Sequence, residues 1–137
     1  MLNPIGSNGI YQSGNTASLT IIVDGLESNE GNVRVAIFEN AKSFPNGKPF
    51  KAQAISADNS ASVELIFENI PYGDYAVAVY HDTNTNDELD TNFMGIPKEA
   101  YGFSNDHRPK FSGPDYESAK VKINQAQVKL NITVEEF

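Results

Sequence analysis

IPYGDYAVAVYHD, from Ile70 to Asp82, decides how the chain folds. Tyr75 to His81 alternates Tyr, Val and Val on one side with Ala, Ala and Tyr on the other, so both faces are apolar. A strand of that kind is covered on both sides. It is expected to be the central strand, with Val77 and Val79 mid-core and the small Ala face admitting a close neighbour. Pro71 fixes one backbone angle before it, and Gly73 eases the connection.

Working outward, period-two alternation repeats in shorter pieces. Leu19, Ile21 and Val23 share a face within Ser18 to Asp24, and Val33, Val35 and Ile37 do so within Asn32 to Glu39. A short strand is expected over Ala52 to Ala57, and another over Ala61 to Glu68 with Val63, Leu65 and Phe67 inward. Ala119, Val121 and Ile123, then Val128, Leu130, Ile132 and Val134, supply the last two. Ala41 to Phe50, with two Pro and one Asn-Gly, reads as a loop whose Phe44 and Phe50 fold back as a lid over one end of the core. The pattern predicts an all-β, antiparallel β-sandwich of about seven strands, transthyretin- or immunoglobulin-like, with a short helical turn near Tyr116 at most.

Length supports one domain, expected over residues 17–137, after a Gly-, Ser- and Asn-rich tail over 1–16 that is expected to be disordered. The chain has no Cys, which excludes disulfides, thiolate metal sites and a Cys nucleophile. No apolar run is long enough to span a membrane. Ten basic against eighteen acidic residues leave a net charge of −8, which phosphate backbones repel, so nucleic acid is not an expected partner. The N-terminus lacks the basic start and apolar stretch of a signal peptide. It fits either a cytoplasmic protein with a loose tail or a secreted domain whose signal has been removed.

The chemistry collects in the long loop from Asp82 to about Glu117, expected to be ordered because it carries Phe93, Met94, Ile96, Tyr101, Phe103 and Phe111. Its opening, D-x-N-x-N-D-x-L-D, spaces Asp82, Asn84 and Asn86 as the first, third and fifth ligands of a calcium loop, with the Glu88 carbonyl seventh and Asp90 ninth. Asp87 stands where such loops use Gly, and Phe93 where they use a bidentate Glu, so this is no EF-hand. Two readings remain: a Ca²⁺ loop of similar local geometry, or an Asx-turn loop whose side chains bond their own backbone. His81 beside Asp82 could orient an imidazole for acid–base work, although a His bonded at a strand end is the commoner structure. No nucleophile elbow or phosphate-binding Gly loop is present, and no catalytic residue is assigned.

From Ile70 to Asn105, and again in SGPDYESAKVKI, the sequence resembles a bacterial family, the domain of unknown function 2141 family. His81-Asp82, Leu89-Asp90, Gly95-Ile96-Pro97, Glu99 and Tyr101 to Asn105 carry the resemblance, and Asp87 departs from it where the family has Gly. The strand pattern extends it over about Ser18 to Val134. The resemblance implies a periplasmic or secreted protein and brings no established activity. Ile-Pro-Tyr-Gly-Asp-Tyr also resembles the turn of transthyretin-like sandwiches, an analogy of fold only.

The expected function is an extracytoplasmic binding module with His81, Glu99, Tyr101 and Phe103 as ligand surface, for a protein or glycan, beside the Ca²⁺ loop. The alternative is a small hydrolase or lyase using His81 with Asp82, or a loop-bound metal.

Overall fold

A computed structural model describes residues 15–26, 28–57, 61–85, 99–109 and 113–136. Eight strands are present among them: β1 (Thr16–Asp24), β2 (Asn32–Phe38), β3 (Lys51–Ser56), β4 (Val63–Pro71), β5 (Gly73–Asp82), β6 (Tyr101–Phe103), β7 (Val121–Ile123) and β8 (Gln127–Thr133). One sheet has the order β4-β1-β8; the other runs β3-β2-β5-β6, with β7 also paired to β5. The protein is the expected all-β sandwich.

The main core lies between the sheets. Leu19, Ile21 and Val23 of β1 meet Val33, Val35, Ile37, Val77 and Val79, and all are essentially inaccessible to solvent. Strand alternation sends these residues inward and leaves Thr20, Glu64 and Lys129 outside. Val79→Ala should lower stability by about 1–3 kcal/mol through lost burial and a cavity. Denaturant titration would measure it, and a loss under a few tenths would remove Val79 from the core's centre.

β5 pairs with β2 from Ala76 to Asp82, with β6 at Ala78–Tyr80 and with β7 at Gly73–Tyr75. Its outer, alanine-rich face is covered as well. Phe38, Phe44, Tyr101, Phe103, Tyr116 and Ala119 close over Ala76 as a second cluster. Phe44 is its hub, with edge-to-face contacts to Phe38, Phe103 and Tyr116 at 5.6, 5.5 and 6.1 Å. Phe44 therefore does not cap the main core beside Phe50. The 41–50 loop splits its aromatics, with Phe50 against Tyr75 of the main core and Phe44 on the far side of the sheet.

Three further features depart from the sequence reading. β1 and β8 run parallel, a direction that strand alternation does not encode. β4 and β5 are separated only by Tyr72 yet belong to different sheets, so the Pro71–Gly73 connection is a corner between layers. Ala119 ends a one-turn helix, α1 (Tyr116–Ala119), instead of starting a strand. That turn is where a helical turn near Tyr116 was expected, capped by Asp115, whose side chain accepts from the Ser118 N–H. Residues 1–14, which hold most of the expected tail, lie outside the described residues.

Candidate functional site

β5 ends at His81 and Asp82, where neighbouring residues must face opposite sides of the sheet. His81 shares its side with Val77 and Val79. It is 2% exposed, and its Nε2 lies 2.7 Å from the Glu30 carbonyl oxygen. Asp82 points to the side occupied by Ala76, Ala78 and Tyr80 and is 0% exposed. The sheet thus separates the two groups that an acid–base pair would need together. The imidazole closes one end of the core.

Gly31 permits this arrangement. Its φ is +71°, and a Cβ there would overlap the Asp82 carbonyl oxygen and stand 2.6 Å from Thr83 Cα. The Gly31 carbonyl also accepts from Ala57 N–H at 3.1 Å, so the 28–31 turn is wedged between β3 and the end of β5. A larger residue would drive these segments apart.

Beyond the β5–β6 pairs, the His81 N–H donates to the Ala100 carbonyl at 2.9 Å, extending the ladder by one step. Glu99 immediately precedes this step and reaches the turn after Asp82. Glu99 is 7% exposed, and its Oε2 accepts from Thr83 N–H at 3.1 Å and from Thr83 Oγ1 at 3.2 Å. Two buried acidic residues thus stand at the mouth of the Asx-rich run, Glu99 bonded to the residue that follows Asp82. Like charges so placed repel unless something neutralises them. Arg34 and Tyr80, opposite each other one row back, share the face of Asp82.

Thr85 N–H donates to the Asp82 carbonyl at 3.4 Å and Thr85 has φ +54°, so the run opens as a tight turn. Asn84 is exposed in this turn. Asn86, Glu88 and Asp90 lie outside the described residues, as do Phe93, Met94, Ile96 and Phe111. Among the described residues no group of three or more His, Cys, Asp or Glu is arranged to hold a metal.

Tyr101 and Phe103 are packed, at 6% and 7% exposure, with rings 5.8 Å apart. Arg108 covers Tyr101 at 4.4 Å from the ring centre and donates to the Tyr101 carbonyl through Nη1 and to the Glu135 carbonyl through Nη2. The two rings anchor the loop and leave little aromatic surface to a ligand.

The rest of Tyr-Gly-Phe-Ser-Asn has structural work that its sequence did not announce. The buried Ser104 hydroxyl accepts from Val77 N–H at 2.9 Å and donates to the Ala119 carbonyl at 2.5 Å. It takes the place of a main-chain partner where β6 ends. Asn105 adopts φ +62°, a conformation Asn tolerates, and its Nδ2 donates to the Ser118 and Lys120 carbonyls at 3.1 and 2.9 Å. Gly102 is required because a Cβ would fall 2.5 Å from the Thr133 carbonyl oxygen. The motif ties β5, β6, α1 and β8 into one corner, directly behind Glu99.

A family model described as "Uncharacterized protein conserved in bacteria (DUF2141)" matches residues 21–131. No curated protein and no solved structure matches the chain.

Proposed function

The chain belongs to that bacterial family, and from this premise we propose that it is a non-catalytic, extracytoplasmic binding module whose working end is the Asx-rich loop after β5, loaded with Ca²⁺. One observation carries the reading: Asp82 and Glu99 are both buried where a strand enters the D-x-N-x-N run, and Glu99 bonds Thr83, the residue after Asp82. The described donors there are Asp82, Asn84, Glu99 and the Thr83 hydroxyl. All are hard oxygens of the kind Ca²⁺ takes. Asn86, the Glu88 carbonyl and Asp90 would complete the set.

Its burial and its bonds to Thr83 support adding Glu99 to this set. It supplies a carboxylate that the loop lacks at its twelfth place, Phe93, and its bonds to Thr83 hold the turn against β6. In this reading His81, Tyr101 and Phe103 frame the loop, and a protein or glycan ligand would meet the loop's outer surface. The periplasmic or secreted location rests on the family resemblance, and millimolar extracellular Ca²⁺ suits a weak site.

Affinity is expected at roughly 10⁻⁴–10⁻³ M, the range of extracellular modules. At ~1 mM free Ca²⁺ that adds about 0.4–1.4 kcal/mol of stability, a rise of roughly 1–6 °C in melting temperature. Asp82→Asn keeps the shape of the side chain and should remove the difference between Ca²⁺ and chelator. Identical melting curves for the wild-type protein in millimolar Ca²⁺ and in chelator would leave an Asx-turn loop.

A further inference from the structure

β3 is an edge strand, and most other sheet edges have been given partners. β4, which borders β3 from the other sheet, has its outward carbonyls at Ile66 and Glu68 bonded by Gln53 Nε2 (2.9 Å) and Lys51 Nζ (3.1 Å). β8 is closed at its C-terminal end, where Thr133 N–H donates to Asp106 Oδ1 and Glu135 bridges to Tyr101. β6 receives that same bridge.

The outward side of β3 is different. Its ladder with β2 runs unshifted from Lys51 to Ser56. The Ala57 N–H to Gly31 carbonyl bond continues that register and fixes its parity. Ile55, Gln53 and Lys51 therefore exchange hydrogen bonds with β2, while the N–H and C=O groups of Ala52, Ala54 and Ser56 point away. Among the described residues none bonds these groups. Residues 52–56 are all exposed.

Edge strands are ordinarily guarded by an outward Lys, a Pro, a bulge or a covering segment. Here Ala52–Ser56 contains no charge, no Pro and no bulge, and Lys51 turns its ammonium to Glu68. The side chains flanking the open groups are two alanines and a serine, which let another backbone approach. Charge indicates what would approach. Residues 40–57 carry Lys42, Lys48 and Lys51 and no carboxylate, in a chain of net charge −8. Lys42 and Lys48 are exposed, and Lys48 stands three residues before β3. A second copy would bring the same lysines against these and a further −8 behind them. An extended acidic segment meets both the open hydrogen-bonding row and the local positive charge.

We propose that β3 is a docking edge that takes up an extended, carboxylate-bearing peptide segment as an added strand. The segment pairs its main chain with Ala52, Ala54 and Ser56 and sets its acidic side chains against Lys48 and Lys42. The docking edge draws on no residue of the loop after β5.

The experiment uses the whole chain and the fluorescein-labelled peptide Glu-Val-Thr-Val-Asp-Val-Glu, with a lysine-for-carboxylate peptide as its counterpart. Fluorescence anisotropy should show saturable binding of the acidic peptide and at least ten-fold weaker binding of the basic one. Ala54→Pro removes an outward N–H without taking a donor from the β2 ladder, and should weaken binding at least ten-fold. Lys42→Glu with Lys48→Glu should reverse the preference between the peptides. Should Ala54→Pro fail to fold, N-methylation of alternate residues in the acidic peptide asks the same question without altering the protein, and should abolish binding. Amide exchange at Ala52, Ala54 and Ser56 should slow in the complex. The proposal is overturned by an absence of saturable binding, by binding insensitive to both backbone blocks, or by self-association of the chain through this edge in sedimentation.

Discussion

Gly31→Ala is expected to lower stability by roughly 2–5 kcal/mol, a substantial part of the roughly 5–15 kcal/mol margin of an ordinary domain. Two costs add. An L-residue at φ +71° gives up about 1–2 kcal/mol, and an overpacked interior site a further 1–3 kcal/mol. The second cost follows from the main chain of Asp82 and Thr83, which a Cβ at position 31 would overlap. Backbone held by β2 on one side and by Ala100 and Glu99 on the other has little room to yield. Urea denaturation of the variant should show a lower midpoint with an unchanged slope. Gly113→Ala is the control, since nothing lies within 4 Å of a Cβ there, and should move stability by no more than about 0.5 kcal/mol. A Gly31→Ala protein as stable as the wild type would mean that the end of β5 can shift freely, which a preformed site at Asp82 does not allow.

Ser104→Ala is the second large effect, at roughly 2–6 kcal/mol. Ser104 is wholly buried, and its hydroxyl serves the Val77 N–H and the Ala119 carbonyl together. Removing it leaves one donor and one acceptor unsatisfied in the interior, each at about 1–3 kcal/mol. Calorimetry of the purified variant would measure the loss. A change below about 1 kcal/mol would show that water enters and replaces the hydroxyl, and that the corner joining β5 to α1 is looser than drawn here.

The main core was readable because period-two alternation encodes it directly. Leu19, Ile21 and Val23, or Val77 and Val79, can be placed from sequence since each strand has one buried side facing the other sheet. The two-sided burial of β5 was readable in the same way, from alanines set between valines. Strand direction was not, because alternation is the same for parallel and antiparallel neighbours, and β1 with β8 is parallel. β6 was missed inside the long loop, as three residues are too few to display a period. Phe44 was assigned to the wrong side of the sheet, since loop composition does not say which face a loop crosses.

At the candidate site, the sequence pointed to the end of the central strand, with Asp82 in a metal loop and His81 and Glu99 on a ligand surface. It could not reveal that β5 directs His81 and Asp82 to opposite faces while Glu99 folds back to bond Thr83. Adjacency in sequence suggested a His-Asp pair, whereas strand geometry sends the two side chains to opposite faces. Tyr101 and Phe103 were legible as aromatics that either meet a ligand or anchor the loop, and the choice is decided by Arg108, which covers Tyr101 from seven residues away in an irregular segment.

The most direct test of the Ca²⁺ reading is an amide NMR titration of the full chain with CaCl₂, from chelated to ~10 mM. Saturable shifts concentrated at Thr83, Asn84, Thr85 and Glu99, with a midpoint of roughly 10⁻⁴–10⁻³ M and no counterpart in Asp82→Asn, are the predicted result. Shifts scattered over the acidic surface without saturation, or none at these four amides, would contradict it.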